Sequence, residues 1–195
     1  MRLPQNAPIA SSAPWEAPPP GWVFGNWKVT KSSHPLYPSL HNFEVDLSPV
    51  FPQSTTNINQ TNDLSAYNMA GSDQVMLAYG VDTWNFDTGI YVFKGGSISY
   101  QLEVLAWGYD TDGVAYKVTY EQEAPAIPAP PALSVESRLV GGPTNETMAK
   151  IIEAIEALGY KHLTELGHSM RDMVHNGERD GKPVICDAKC INGLP

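Results

Sequence analysis

The stretch SISYQLEVLAWGYDTDGVAYKVTYEQ, residues 97–122, decides the fold class of this chain. Apolar side chains occupy the even positions of 98–106 and again those of 114–120, while polar residues such as Glu103 and Lys117 alternate with them. Alternation with a period of two is typical of a β-strand with one sheltered face. The YDTDG between the two runs has the composition of a tight turn. The stretch therefore predicts two neighbouring antiparallel strands whose even positions face the sheltered side.

Short runs of the same kind follow one another from residue 22 to about residue 140, and turn-rich segments such as SHPLYPS, NINQTND, AGSD and KGG separate them. A series of short strands with tight connections is typical of an up-and-down antiparallel sheet, which loses its exposed edges by closing into a barrel. We therefore predict an all-β fold built on an eight-stranded antiparallel up-and-down β-barrel. The predicted strands are 22–31, 41–50, 64–70, 73–83, 88–94, 97–107, 113–122 and 132–139.

One helix is predicted after the last strand. In PTNETMAKIIEAIEALG, residues 143–159, apolar side chains recur at helical spacing. Thr144 or Asn145 has a side chain suited to the N-cap, and Gly159 has the backbone freedom to end the helix. Since only one face of this helix is apolar, we expect it to pack on the outside of the barrel.

The two ends of the chain differ in composition from its middle. Residues 1–20 contain six prolines, which fix the backbone and lack an N–H, so we expect an extended proline-rich leader. Residues 21–177 would form the barrel and its helix, with either a short strand or a second helix after residue 160. From residue 178 to residue 195 we expect an irregular tail.

The charge balance and the hydropathy pattern argue against several functions. The 12 basic and 21 acidic residues give a net charge of −9, whereas a nucleic-acid partner requires basic patches that displace counterions. No apolar run approaches the ~20 residues that a membrane-spanning helix needs. The N-terminal segment lacks the apolar centre of an intact secretory signal. We therefore expect a cytoplasmic protein, or a secreted one if a signal has been removed.

The two cysteines, Cys186 and Cys190, lie close together in CDAKC. They are either two reduced thiols or a local disulfide of the tail, and the sequence leaves this choice open. A metal site would need His168 or His175 as further ligands, and the cysteine spacing is not that of the usual zinc pairs. We predict no metal and no cofactor.

Three motifs and the helix, in this order along the chain, resemble the lipocalin family. Gly25-Asn26-Trp27 stands at the first strand, where that family has a Gly-x-Trp. The turn at residues 109–113 is similar to the family's second, Asp-containing motif. ALSVESR ends in Arg138, which matches the arginine of the last barrel strand, and the following IIEAIEALGY is similar to the family's late helix.

The resemblance implies how one end of the barrel is closed. Trp27 would seal that end, Gly25 would let the chain turn beneath the indole, and Arg138 would pack over it. A guanidinium on an indole face contributes ~0.5–2 kcal/mol as a cation–π contact.

Within the family, the resemblance is greatest to the lipocalin domain of violaxanthin de-epoxidase. AYGVDTWNF, residues 78–86, places Asp82 and Trp84 at positions that match a catalytic aspartate and a tryptophan of that enzyme. Its cysteine-rich and Glu-rich regions have no counterpart here. The resemblance therefore carries over the pocket architecture and not the de-epoxidation reaction.

Two functions of different class are compatible with such a barrel, because the fold is a general container for apolar molecules. The first is cofactor-free isomerisation or cyclisation of a polyketide-, terpenoid- or carotenoid-like molecule. Burial would keep Asp82 protonated so that it acts as the catalytic acid. The second is a non-catalytic carrier or store of a hydrophobic metabolite. The residues expected to contact the ligand are Tyr79, Trp84, Tyr100, Leu102, Tyr116, Val118 and Tyr120.

Overall fold

The computed structural model describes residues 1–10, 14–19, 21–51, 54–55, 58–123, 129–179, 181–182 and 184. Its main strands are β1 (Gly25–Ser32), β2 (Leu40–Pro49), β3 (Gln60–Met69), β4 (Val75–Asn85), β5 (Ile90–Gly95), β6 (Ile98–Tyr109), β7 (Ala115–Glu121) and β8 (Ala132–Ser137). Each strand pairs antiparallel with the next, and β1 also pairs with β8, so that the sheet closes on itself. The predicted eight-stranded up-and-down barrel is confirmed. Cys186 and Cys190 lie outside the described residues.

Two helices follow the barrel, α1 (Asn145–Ala157) and α2 (Lys161–Ser169), and a short strand β9 (Arg171–Asp172) then pairs with β1. The hydroxyl oxygen of Thr144 accepts a hydrogen bond from the backbone N–H of Thr147 and so caps α1. The buried face of α1 includes Ile151 and Ile155, which pack against outward-facing residues of the barrel. The prediction of a helix outside the barrel is confirmed, and the segment after residue 160 is a second helix. No described helix is long and apolar enough to cross a membrane.

The helices decide which face of β7 points outwards. Tyr116, Val118 and Tyr120 belong to the apolar cluster beneath α1 and α2. The alternate residues, Lys117 and Thr119, therefore point into the barrel. The sheltered apolar face of β7 is thus the outer face, covered by helices, and its polar face is the inner one.

A β-bulge in β6 changes the facing of that strand part-way along its length. The pairing with β7 shifts between Val104 and Ala106. An extra residue in one strand reverses the in–out alternation beyond it. Accordingly, Leu102 faces the barrel interior, whereas Ala106, which a regular strand would place on the same face, packs against the apolar cluster under the helices.

The N-terminal residues lie across the outer face of β6. The backbone N–H of Arg2 donates to the carbonyl of Leu105 at 2.9 Å, and Arg2 Nη1 lies 3.0 Å from Glu103 Oε2. Both members of this ion pair are buried. Gln5 donates its backbone N–H to the same carboxylate at 2.9 Å. The proline-rich segment is therefore joined to the barrel by a buried charge pair.

Candidate active site

Aromatic packing closes one end of the barrel. Trp27 is fully buried, and the guanidinium carbon of Arg138 lies 3.7 Å from the centroid of its ring. Arg138 donates to the carbonyls of Trp22, Phe24 and Asn26, which fixes the chain that enters β1. Gly25 has φ +101°, and a Cβ at this position would lie 3.1 Å from Arg138 Nη1. This is the arrangement that the resemblance implies for the three residues.

The interior above Trp27 is almost filled and is lined by both polar and apolar side chains. It encloses a cavity of about 40 Å³, which has room for only about three water molecules. The apolar container expected from the sequence is therefore, in this conformation, a narrow chamber with a mixed lining. Its polar lining consists of Tyr37, Asp63, Ser65, Tyr91, Tyr100, Lys117, Thr119, Glu121, Ser134 and Glu136.

Asp82 and Asp63 form a carboxyl pair on the inner face of the barrel. Asp82 is opposite Thr61 on β3, and Asp63 is opposite Gly80 on β4, so the two carboxyl groups are diagonal neighbours. Thr61 Oγ1 donates to Asp82 Oδ2 at 3.4 Å. The two carboxyl groups are close enough to influence each other's pKa, and two adjacent buried carboxyl groups are most stable when one of them carries a proton.

Burial and mutual repulsion keep that proton on the pair at neutral pH. Burial raises the pKa of Asp82 well above its usual value, and the negative charge of Asp63 raises it further. Burial also raises the pKa of Asp63, to about 7, although the Lys117 ammonium opposes this rise. Asp82 is thus the member that releases its proton last, because the removal of a second proton would place two negative charges on adjacent buried carboxyl groups.

Lys117 places one positive charge in the chamber. It is 1% exposed, and its Nζ lies 2.9 Å from Glu136 Oε2. The same ammonium lies 5.2 Å from the ring centroid of Trp27. Thr119 Oγ1 donates to the other oxygen of Glu136 at 3.1 Å. The Glu136 carboxylate and the Trp27 indole hold Lys117 in place, and Thr119 fixes that carboxylate, so that the positive charge stays close to the aspartate pair.

The opposite end of the chamber is covered by the segment between β1 and β2. This segment contains a short 3-10 helix, Tyr37–Ser39. The hydroxyl of Tyr37 donates to Glu121 Oε2 at 3.1 Å, and its ring stacks on His34 with centroids 4.1 Å apart. Burial raises the pKa of Glu121 to about 7. Tyr37 therefore occupies the mouth of the barrel and is held there by a largely desolvated carboxyl group.

Four of the residues predicted from sequence face the interior. Asp82 is fully buried behind the cavity wall, and Tyr100 and Leu102 line the cavity. Trp84 lies below them, stacked on Tyr91 with centroids 4.0 Å apart, and its indole N–H donates to Thr61 Oγ1.

The other four predicted contact residues lie outside the barrel, which corrects the expectation for them. Tyr116, Val118 and Tyr120 pack beneath the helices, because the apolar face of β7 is the outer one. Tyr79 packs beside Leu64 on the outer face, and its hydroxyl donates to the side chain of Asn62 at 2.9 Å. None of these four side chains lines the interior cavity.

Several interior residues were not recognised in the sequence. Asp63 falls in NINQTND, whose composition predicts a turn, but β3 already begins at Gln60. Lys117 and Glu121 belong to the polar half of an alternating strand, which usually faces solvent. Lys117 and Glu121 are four residues apart and therefore lie on the same face of β7. Because an amphipathic helix follows the barrel and could cover the apolar face of this strand, the two charged residues could have indicated a polar barrel interior. Among the described residues, no group of three or more His, Cys, Asp or Glu side chains is arranged to hold a metal ion.

Comparison with solved structures identifies the class of protein. Apocrustacyanin C1 aligns with a TM-score of 0.55 and 13% identity over 80% of this chain and 78% of its own. An odorant-binding protein aligns with a TM-score of 0.53 and 9% identity over 88% of this chain and 100% of its own. A siderocalin, Ex-FABP, aligns with a TM-score of 0.51 and 13% identity over 77% of this chain and 93% of its own. The protein therefore has the lipocalin fold.

One curated protein is similar in sequence along nearly the whole chain. Botcinic acid biosynthesis cluster B protein 12 of Botryotinia fuckeliana (strain B05.10) is 27% identical over 188 residues, which cover 92% of this chain and 84% of that protein. No known family profile matches the chain.

Proposed function

We propose that the barrel binds a small, largely apolar metabolite with at least one oxygen function, and that it catalyses isomerisation or cyclisation of this molecule without a cofactor. The observation that carries the proposal is the buried carboxyl pair. Burial raises the pKa of both carboxyl groups, so the pair can hold a proton near neutral pH and transfer it to a ligand oxygen. A barrel that served only as a container would not need this pair.

Two further observations support the proposal. The name of the fungal relative places it in a biosynthesis cluster, which fits a role in the production of a secondary metabolite. In addition, hydroxyl groups of Ser65, Thr119 and Ser134 line the chamber between apolar residues. Such a lining suits a carbon skeleton that bears a few oxygens.

Ligand binding requires the mouth of the barrel to open. A metabolite-sized ligand occupies about 300 Å³ or more, whereas the closed chamber provides about 40 Å³. The segment that holds Tyr37 covers the mouth, and Leu36 beside it is 60% exposed. Outward movement of this segment is the change that would admit a ligand to the aspartate pair.

The second candidate is a carrier or store of the same kind of molecule. It is favoured by the structural likeness to an odorant-binding protein, whose whole chain aligns with this one. The two candidates differ in one respect that can be observed. An enzyme returns a changed molecule, and a carrier returns the molecule that it bound.

The test uses the wild-type protein, the Asp82→Asn variant and, as a matched control, Asp87→Asn, which alters an exposed carboxylate in the turn after the same strand. Each protein is incubated with a fractionated apolar metabolite extract. Native mass spectrometry detects bound masses, and liquid chromatography detects products. Isomerisation and cyclisation alter retention time without altering mass.

We expect wild-type protein and Asp87→Asn to convert a bound metabolite at equal rates, and Asp82→Asn to bind it but to convert it more slowly. Equal conversion by all three proteins would remove Asp82 from the mechanism. Binding without conversion by the wild-type protein would establish the carrier instead.

A further inference from the structure

Asp63, rather than Asp82, is the member of the carboxyl pair that reaches the cavity. Asp63 belongs to the cavity wall, whereas Asp82 is 0% exposed and lies behind that wall. Asp82 Oδ1 accepts no hydrogen bond from any N–H or hydroxyl donor of the described residues. A buried carboxyl oxygen without such a donor is unfavourable as a charged group, which favours the protonated form of Asp82. The pair therefore presents Asp63 to the cavity and keeps Asp82 behind it.

Two hydrogen-bond donors face the same cavity from strands other than that of Asp63. Lys117 on β7 contributes an ammonium, and Tyr100 on β6 contributes a phenol hydroxyl. The charge of Lys117 acts on Asp63 directly, since it opposes the rise in the pKa of that carboxyl. A ligand in the cavity would thus have a carboxylate on one side and donors for a negative oxygen on another.

From this geometry we infer that Asp63 is the proton-transferring residue and that the substrate is a carbonyl compound with an acidic hydrogen on the adjacent carbon. The inference rests on the proposed function and deepens it, because it names the reacting residue and the substrate class. In this assignment Asp82 is a positioning residue, which donates its proton in a hydrogen bond to Asp63 and does not touch the substrate.

The reaction balances within the protein and one substrate. The Asp63 carboxylate takes the proton from the carbon next to the carbonyl, and the C–H electron pair forms the carbon–carbon double bond of an enolate. The carbonyl π pair moves to oxygen, where Lys117 and Tyr100 stabilise the negative charge. In a β,γ-unsaturated carbonyl compound, the electron pair on oxygen then re-forms the carbonyl, the enolate double bond moves to the α,β position, and the former β,γ π pair takes the proton from Asp63 at the γ-carbon. The product is the conjugated isomer, and the carboxylate is regenerated.

The charged and titratable groups around Asp63 set the pH at which it acts as a base. Lys117 lowers the pKa of Asp63, whereas Glu136 raises it, and burial keeps it at about 7. Asp82 on β4, Tyr91 on β5 and Tyr100 on β6 are the other titratable groups that interact with it. Proton abstraction should therefore increase as the pH rises through about 7.

The experiment follows hydrogen–deuterium exchange next to the carbonyl of cyclohex-3-en-1-one, and its conversion to the conjugated enone, by NMR in D₂O. The parent protein is the Glu121→Gln variant, because the pKa of Glu121 is also about 7 and would contribute to the pH profile. It is compared with Asp63→Asn, Asp82→Asn and the exposed-carboxylate control Asp73→Asn, each made in this parent. Circular dichroism and thermal unfolding verify that each variant is folded.

We expect Asp63→Asn to reduce the exchange rate by a factor of about 100 or more, as for loss of a general base. Asp82→Asn should retain exchange but with a displaced pH midpoint, and Asp73→Asn should match the parent protein. The exchange rate of the parent should increase between pH 6 and pH 8. This pH profile tests whether a group with a pKa of about 7 is the base, even if Asp63→Asn does not fold.

Three results would overturn the inference. Exchange that survives in Asp63→Asn would exclude Asp63 as the base, as would a flat pH profile of the parent. Loss of exchange in Asp82→Asn alone would make Asp82 the reacting group, which contradicts this inference but leaves the proposed function intact. Absence of exchange above the buffer rate in the parent would refute a carbonyl substrate, while the metabolite conversion test judges the proposed function separately.

Discussion

Replacement of Glu121 by glutamine should stabilise the protein at alkaline pH and leave its stability at pH 4.5 nearly unchanged. Burial raises the pKa of Glu121 from 4.5 to about 7 in the folded protein. The folded state therefore binds a proton that the unfolded chain releases, and the free energy of unfolding falls as the pH rises between these two values. One pKa unit corresponds to about 1.4 kcal/mol. The rise from 4.5 to about 7 therefore lowers the free energy of unfolding at pH 8 by about 3 kcal/mol.

Glutamine has the shape of the protonated acid and keeps an oxygen that accepts the hydrogen bond of the Tyr37 hydroxyl. The Glu121→Gln variant should therefore lose the pH dependence that Glu121 causes without losing this contact. Urea unfolding, monitored by tryptophan fluorescence from pH 4.5 to pH 9, measures the difference. We expect the gap between the variant and the wild-type protein to widen by about 1.4 kcal/mol per pH unit up to about pH 7 and then to level off.

The matched control is Glu123→Gln, which removes an exposed carboxylate two residues further along the chain. Its unfolding free energy should run parallel to that of the wild-type protein at every pH. Asp63 and Asp82 also make the free energy of unfolding depend on pH. Their contributions are the same in all three proteins and cancel when each variant is compared with wild type. If the profiles of Glu121→Gln and Glu123→Gln were both parallel to wild type, Glu121 would be solvated at the mouth, and the reasoning about the closed chamber would be wrong.

Three further substitutions test the packing around the site. Arg2→Met leaves the buried Glu103 carboxylate without its ion-pair partner. We expect the free energy of unfolding in urea to fall by about 3–5 kcal/mol. A fall of less than about 1 kcal/mol would contradict the burial of the pair. Gly25→Ala forces a side chain into a left-handed backbone beside Arg138, which should lower the unfolding free energy by about 1–3 kcal/mol, and an unchanged value would refute this. Tyr37→Ala removes the side chain from the mouth, so stopped-flow binding of an apolar fluorescent dye should become faster, whereas an unchanged rate would indicate access by another path.

The barrel could be predicted from sequence because its signals are local. The alternation in β6 and β7 and the turn between them lie within 26 consecutive residues, and the closure by Trp27 and Arg138 is carried by short motifs. The orientation of β7 is not local. Both faces of this strand are sheltered, one by helices and the other by the opposite wall of the barrel, and the apolar face packs against the helices. Alternation shows that two faces differ but does not show which of them is inside.

The carboxyl pair likewise could be predicted only in part, because one of its two members depends on pairing with strands that are distant in the sequence. Asp82 could be proposed from its aromatic neighbours in sequence, and its burial agrees with the raised pKa expected there. Asp63 was missed because Gln60-Thr61-Asn62-Asp63 has the composition of a turn, and such residues are rare in strands. In the barrel all four residues pair with β4, and Thr61, Asn62 and Asp63 also pair with β2. Pairing with distant strands therefore overrides the local preference at the position that matters most for chemistry.

The cost of the polar interior is itself an argument for function. Four carboxyl groups, those of Asp63, Asp82, Glu121 and Glu136, and the single ammonium of Lys117 face inwards in the described part of the barrel. A buried ion pair is often no more stable than well-packed apolar residues of the same volume, and the unpaired carboxyl groups destabilise the fold further as they ionise. A barrel that needed only to be closed could be filled with leucine and valine. Charged groups that reduce stability, placed together around one cavity and behind the segment that covers its mouth, support the acid–base site that we propose.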